Sequence, residues 1–122
     1  MLSNNQVRLC GEIFSEDTIE RRLTSLGNSY RFRLRVCERR YSKREGKFTN
    51  FYEYPQVVVS DKGIFKPIAS RYAELLVPGN RLLIVGKLHC YTISDARGNL
   101  KRITEVEALA IELLQPQQEE AC

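Results

Sequence analysis

A chain of 122 residues, 43% hydrophobic and 28% charged, is long enough for one domain with its own core and too apolar to be intrinsically disordered. Its formal net charge of +4 suits an anionic partner. No apolar run approaches the ~18 residues of a membrane span, and the opening MLSNNQ lacks the basic-then-apolar pattern of a secretion signal, so a cytoplasmic protein with no membrane partner is expected.

In chain order, Val7, Leu9, Gly11 and Ile13 alternate with Arg8, Cys10 and Glu12, which predicts a first strand over Gln6–Phe14. Gly11 omits a side chain in mid-strand, the mark of a bend or a close backbone approach. The polar stretch Ser15–Leu26 reads as an irregular extension, turned by Gly27-Asn28. Strand two runs from Tyr30 to about Glu38, with Tyr30, Phe32, Leu34 and Val36 on one side and Arg31, Arg33, Arg35 and Cys37 on the other.

Tyr41–Thr49 is a basic loop with Gly46 at its tip, joining strand two to a strand three that runs from about Phe51 to Ser60. From Ile64 to Val77 apolar residues recur at helical spacing, with Pro67 tolerable in the first turn and Pro78-Gly79 as a stop. Strand four is Arg81–Thr92, interrupted by Gly86, and Asp95–Asn99 is a hairpin turn. The last segment, Lys101–Leu114, has helical propensity in EVEALAIELL, but its place after a hairpin turn favours strand five. Val106, Leu109, Ile111 and Leu113 are then expected to point inward after a local bulge.

Three strands, a helix and two more strands is the chain plan of an OB barrel: an all-β fold with one helix between strands three and four. The barrel domain is expected over 1–114 and a short polar tail over 115–122. The positive charge is concentrated. Arg31 through Lys47 holds eight bases and two acids, a local +6, so the remainder is net acidic by two.

Unpaired nucleic acid offers phosphates for cations and base faces for rings. The phosphate candidates are Arg31, Arg33, Arg35, Arg39, Arg40, Lys43, Arg44 and Lys47, and the stacking candidates are Tyr41, Phe48, Tyr52 and Tyr54. Phe51 is set aside as a residue that can point inward. Lys87, His89 and Tyr91 share a face of strand four, where Lys87 and Tyr91 can extend the groove and His89 has no visible catalytic partner. The competing reading of the arginine face is a solvated surface whose charges discourage edge-to-edge aggregation; the adjoining rings tip the balance towards nucleic acid.

Other chemistry is poorly supplied. There is no glycine-rich phosphate loop, GxSxG, HExxH or paired-carboxylate motif, so no enzyme is expected. Four cysteines (Cys10, Cys37, Cys90, Cys122) lie far apart without a CxxC pair, and there is one histidine. Reduced, space-filling thiols and no metal or cofactor are expected.

NQVRLCGEI from Asn5, EYPQVVVSDKG around Tyr54, and PGNRLLIVGKLHCYTISDARGNLKRITEVEALAIELL resemble the bacterial single-stranded DNA-binding protein family. Its members typically show NxVxLxGxL, EWHRVVxxGK and TEVxAxxIxLL. The resemblance spans Asn5 to Leu114. It implies an OB fold, sequence-independent binding of single-stranded DNA, a dimer or tetramer with strand one as the candidate interface, a nucleoid location, and partners in replication, recombination or repair.

The family's stacking tryptophan corresponds to Tyr54, and an aromatic of the strand two–three loop to Tyr41. The chain departs in having no tryptophan, in Ser60 and Ile93 near positions that often stack, and in QPQQEEAC where the family's acidic tail ends in Pro-Phe. The alternative is the related family of primosomal replication protein N (PriB), replication-restart adaptors that bind single-stranded DNA and helicase-loading proteins. Gly79-Asn80-Arg81 and Leu88-His89-Cys90 resemble its segments. A DNA-independent complex with helicase components would favour the adaptor.

Overall fold

The computed structural model describes residues 4–15 and 19–115. Its elements are β1 (Val7–Ile13), β2 (Glu20–Thr24), β3 (Gly27–Ser42), β4 (Lys47–Glu53), β5 (Gln56–Ser60), α1 (Ile68–Tyr72), a 3-10 turn at Ala73–Leu75, β6 (Arg81–Ser94) and β7 (Leu100–Leu113). Five of the strands form a ring. β1 pairs with β6, β6 with β7, β7 with β5 in parallel, and β5 with β3. β3 then returns to β1 through Glu12↔Arg35 and Ile13↔Leu34.

This is the OB barrel. Counted by barrel strands the helix comes after the third, and counted by all strands it lies between β5 and β6. Ile13, Phe32, Leu34, Val57, Val59, Leu82, Ile84, Val106 and Ile111 fill the interior, with Ala69 of α1 and Leu76 beyond it at one end.

Two glycines permit the closure. A Cβ at Gly11 would lie 2.5 Å from the Arg35 carbonyl oxygen, so the approach of β1 to β3 requires its absence. At Gly86 a Cβ would meet the Glu107 carbonyl at 2.0 Å, where the β6–β7 register shifts.

β3 is a 16-residue strand, long enough to pair with two later strands in turn. Ser29–Arg33 pairs with β5 and Val36–Ser42 with β4, in one continuous register. The predicted third strand is therefore two strands, parted at Tyr54-Pro55. Proline has no N–H to give the ladder, yet its carbonyl still accepts from the Leu34 amide at 3.1 Å.

Several expectations need correction. The stretch expected to be irregular before Gly27 contains β2, which forms a tight hairpin with β3 (Thr24↔Gly27). The helix is shorter than its apolar spacing implied: Ile64 and Phe65 belong to a turn before Pro67 and are exposed. In β7, Ala108 rather than Leu109 points inward and Leu113 is exposed, because the register shift changes which residues face the core. Cys10 and Cys90 are exposed rather than space-filling. Of the expected tail, 116–122 lies outside the described residues.

Asp61 ties the start of β3 to the helix. Its buried carboxylate accepts from the Asn28 amide (2.8 Å), the Ser70 amide (2.9 Å) and the Ser70 hydroxyl (2.7 Å). Burial pushes the carboxyl pKa up, but the bonds from Ser70 and Asn28 outweigh it and hold it below the usual 3.8. A lowered folded pKa stabilises the fold above the unfolded value, and that stability is lost as pH falls through the folded one. Asp61→Asn should cost about 2 kcal/mol at neutral pH. In urea melts the gap between variant and wild type should narrow below the ordinary aspartate range; a constant gap would remove Asp61 as the source.

Candidate nucleic-acid interface

Because β3 keeps one register from Gly27 to Ser42, its odd-numbered residues share a face throughout. The inward row of the barrel is Phe32 and Leu34, so the outward row is Arg31, Arg33, Arg35, Cys37, Arg39 and Tyr41. Cross-strand partners add Tyr52 opposite Cys37, Asn50 opposite Arg39 and Phe48 opposite Tyr41. Tyr41 and Phe48 meet edge to face at 5.3 Å, the Arg39 guanidinium lies over Phe48 at 5.2 Å, and that of Arg35 over Tyr52 at 5.6 Å. Tyr54 packs edge-on against Phe14 at 5.4 Å, and its carbonyl accepts from Arg33 Nη1 at 2.8 Å.

The turn carries Lys43, Arg44 and, at its exit, Lys47. Gly46 takes a φ of +67° there, and its amide donates to the Ser42 carbonyl at 2.8 Å.

The cations differ in what they meet. Arg31 grips the buried carboxylate of Glu105, with Nε and Nη2 at 3.3 and 3.4 Å, and Gln56 Nε2 donates to the same carboxylate at 2.7 Å. Burial lowers the Arg31 pKa, but Glu105 and the Tyr91 hydroxyl outweigh it and hold it above its ordinary value. Arg35 pairs with Glu12, and Arg40 with Glu38 at 2.8 Å. Arg40 also lies over Phe51 at 4.8 Å, on the face opposite the ladder. Lys87 stands 3.8 Å from Glu107, which Lys62 holds more closely at 3.0 Å. Among the described residues no carboxylate pairs with Arg33, Arg39, Lys43, Arg44 or Lys47.

β6 and β7 continue past the barrel as a ribbon, from His89↔Glu105 to Ser94↔Leu100. Asp95 closes its turn by accepting from the amides of Arg97 and Asn99. Tyr91 lies on its outward side, 5.6 Å from His89, and with Ile93 and Ile103 it walls a groove of about 390 Å³. Glu20, Arg22, Arg31 and Gln56 complete its lining, with Arg22 paired to Glu20 at 3.1 Å.

The geometry thus gathers Arg33, Arg35, Arg39, Tyr41, Phe48, Tyr52 and the turn cations on one hairpin. It sets Tyr91 with Arg31 in a separate groove, and leaves Arg40 and Lys87 apart from both. Sequence reasoning missed Phe14, Arg22 and the carboxylates Glu12 and Glu105. Glu12 had a signal, since it lies on the polar side of β1, whereas Glu105 is legible only once β7 is placed beside β5. Among the described residues no group of histidine, cysteine and carboxylate side chains could hold a metal, and no helix is long and apolar enough to cross a membrane.

A closed OB barrel with a cationic, ring-bearing hairpin is the architecture to be placed among known proteins. The chain belongs to the single-strand binding protein family, whose model matches residues 4–114. Among solved structures it is similar to the small single-stranded DNA-binding protein from Streptomyces coelicolor, with a TM-score of 0.65 and 20% identity over 94% of this chain and 99% of that one. It is also similar to the Plasmodium falciparum SSB in complex with ssDNA, at 0.73 and 19% over 94% and 98% of the two chains. A third is a deletion mutant of the single-stranded DNA binding protein from Thermus aquaticus, at 0.71 and 21%, covering 93% of this chain and 51% of that one. At these identities the likeness carries the fold alone. A search of curated proteins finds no match.

Proposed function

We propose that this chain binds single-stranded DNA without sequence preference, on the outward face of the β3–β4 hairpin. One observation carries the reading: Tyr41, Phe48 and Tyr52 share a face with Arg39, and Lys43, Arg44 and Lys47 beside them have no carboxylate partner among the described residues. Rings present π faces to unstacked bases, each stack worth about 1–3 kcal/mol, and free cations neutralise the phosphates between them. A duplex hides its base faces, so this combination favours an unpaired strand. Family membership supports the same reading, as does the ssDNA held by the Plasmodium falciparum relative.

The remaining candidates sort by their partners. Arg33 supplies charge at the hairpin's base. Tyr54, anchored by Phe14, caps the row of rings. Arg31, Arg35, Arg40 and Lys87 act first as partners of their own carboxylates. Tyr91 offers a further ring where a strand leaves the hairpin across β3. The processes served are DNA replication, recombination or repair, and the 1–114 barrel is the unit that acts.

The chain works as a homo-oligomer joined through β1. Its Val7–Gly11 stretch pairs with β6 on one side, and among the described residues no strand pairs with its other side, which leaves an open edge for a second copy.

Fluorescence titration with oligo-dT tests the proposal. Binding should weaken linearly in log K against log salt, by about 0.7 per phosphate contacted. Duplex DNA of equal length should compete scarcely at all. Salt-independent binding, or equal preference for duplex, would overturn it.

A further inference from the structure

At the end of the barrel away from the β3–β4 turn, Ile64 and Phe65 stand 86% and 92% exposed, adjacent in sequence and flanked by Lys62 and Lys66. β3 spans 16 residues, or about 50 Å at ~3.3 Å per residue, so this patch is remote from the hairpin turn. The exposure is built into the backbone. The Lys62 amide donates to the Lys66 carbonyl at 2.8 Å, the Lys66 amide to the Gly63 carbonyl at 3.2 Å, and the Gly63 amide to the Leu26 carbonyl at 3.2 Å.

The last bond sets the turn against the β2–β3 hairpin, where Leu26 and Leu23 are also exposed. Asp61, just before the turn, is held by Asn28 and Ser70, which fixes the whole end to α1. Four large apolar side chains are therefore held out to water by ordered backbone. Lys66 follows Phe65 directly. Arg21 of β2, whose guanidinium donates to Asn28 Oδ1, and Arg71, in the last turn of α1, belong to the two elements that the turn is bonded to. The acid of this segment, Asp61, is buried and fully engaged.

We propose that this patch is a docking surface for a protein partner, one that offers an apolar side chain flanked by carboxylates. Three of the four apolar groups are aliphatic and cannot stack on bases, so the composition suits a protein surface better than a nucleic acid strand. The cationic rim sets the sign of the partner's charge and would speed its approach. Because the patch and the hairpin turn lie at opposite ends of β3, a partner can dock while a strand is bound. The inference does not depend on which nucleic acid the hairpin takes.

The test pans a random peptide display library against the full chain and counter-selects against the double variant Ile64→Ser/Phe65→Ser. Both side chains are exposed, so the variant should melt with wild type. Enriched peptides should pair apolar residues with Asp or Glu. Their affinity, read by anisotropy, should fall at least ~10-fold in the double variant and several-fold in Lys66→Glu, with oligo-dT affinity unchanged. Peptides that bind both proteins equally, or that carry no acids, would overturn the proposal. So would a drop in oligo-dT affinity in the double variant, its loss of co-sedimentation with anionic phosphatidylglycerol vesicles, or a fall in its light-scattering mass. Those three results would assign the patch to nucleic acid, to a membrane or to a second copy of this chain.

Discussion

Replacing Arg39, Lys43, Arg44 and Lys47 together with glutamine should lower affinity for oligo-dT by about a hundredfold or more at ~0.1 M salt, and flatten the salt dependence by about three units. Counterion release sets the size of the effect: each phosphate neutralised on a single strand contributes about 0.7 to the slope, and four such contacts contribute about 2.8. None of the four is tied to a carboxylate among the described residues, so their charge is available to a ligand. All four are exposed, so melting should be little changed.

Tyr41→Ala and Phe48→Ala make the complementary test. Each should weaken binding by about 1–3 kcal/mol and leave the slope where it was, because a stack releases no counterions. A quadruple variant with the wild-type slope would remove the turn from the site, even if the rings still mattered.

The alternation of Tyr30 through Val36 revealed the inward and outward rows of β3, and one register carried that division to the hairpin tip. The same regularity made Tyr41, Phe48 and Tyr52 readable as one face. Other features were out of reach for physical reasons. The split at Tyr54-Pro55 depends on a missing amide in a strand whose apolar pattern runs straight through it. The short α1 defeated its own periodicity, since Ile64 and Phe65 fall at helical spacing yet stand before Pro67 in a hydrogen-bonded turn. In β7, a register shift beside Gly86 exchanged Leu109 for Ala108 in the core, and the apolar pattern alone offers both.

The arginine ladder looked uniform in sequence. What separates its members is the acid that each meets across the barrel, and that is a property of tertiary pairing.

Arg31 shows the consequence most sharply. Arg31→Ala should destabilise the fold by about 3 kcal/mol, because it strands a Glu105 that is 2% exposed with Gln56 as its remaining side-chain donor. The figure stands at the lower end for a broken buried pair, since Arg31 itself keeps partial contact with water. Arg31→Met with Glu105→Leu should recover most of the loss, as replacing both charges leaves no buried carboxylate to satisfy. A double-mutant cycle in urea should give a coupling of about 2 kcal/mol.

The same variant separates two roles that look identical in the alternating pattern of β3. If Arg31 braces the barrel, Arg31→Ala leaves the oligo-dT salt slope unchanged at temperatures where the variant is folded. If it neutralises a phosphate, the slope falls by about 0.7 with little loss of stability. A stability change under ~1 kcal/mol together with a flatter slope would return Arg31 to the binding face and make Glu105 the residue it leaves behind when DNA arrives.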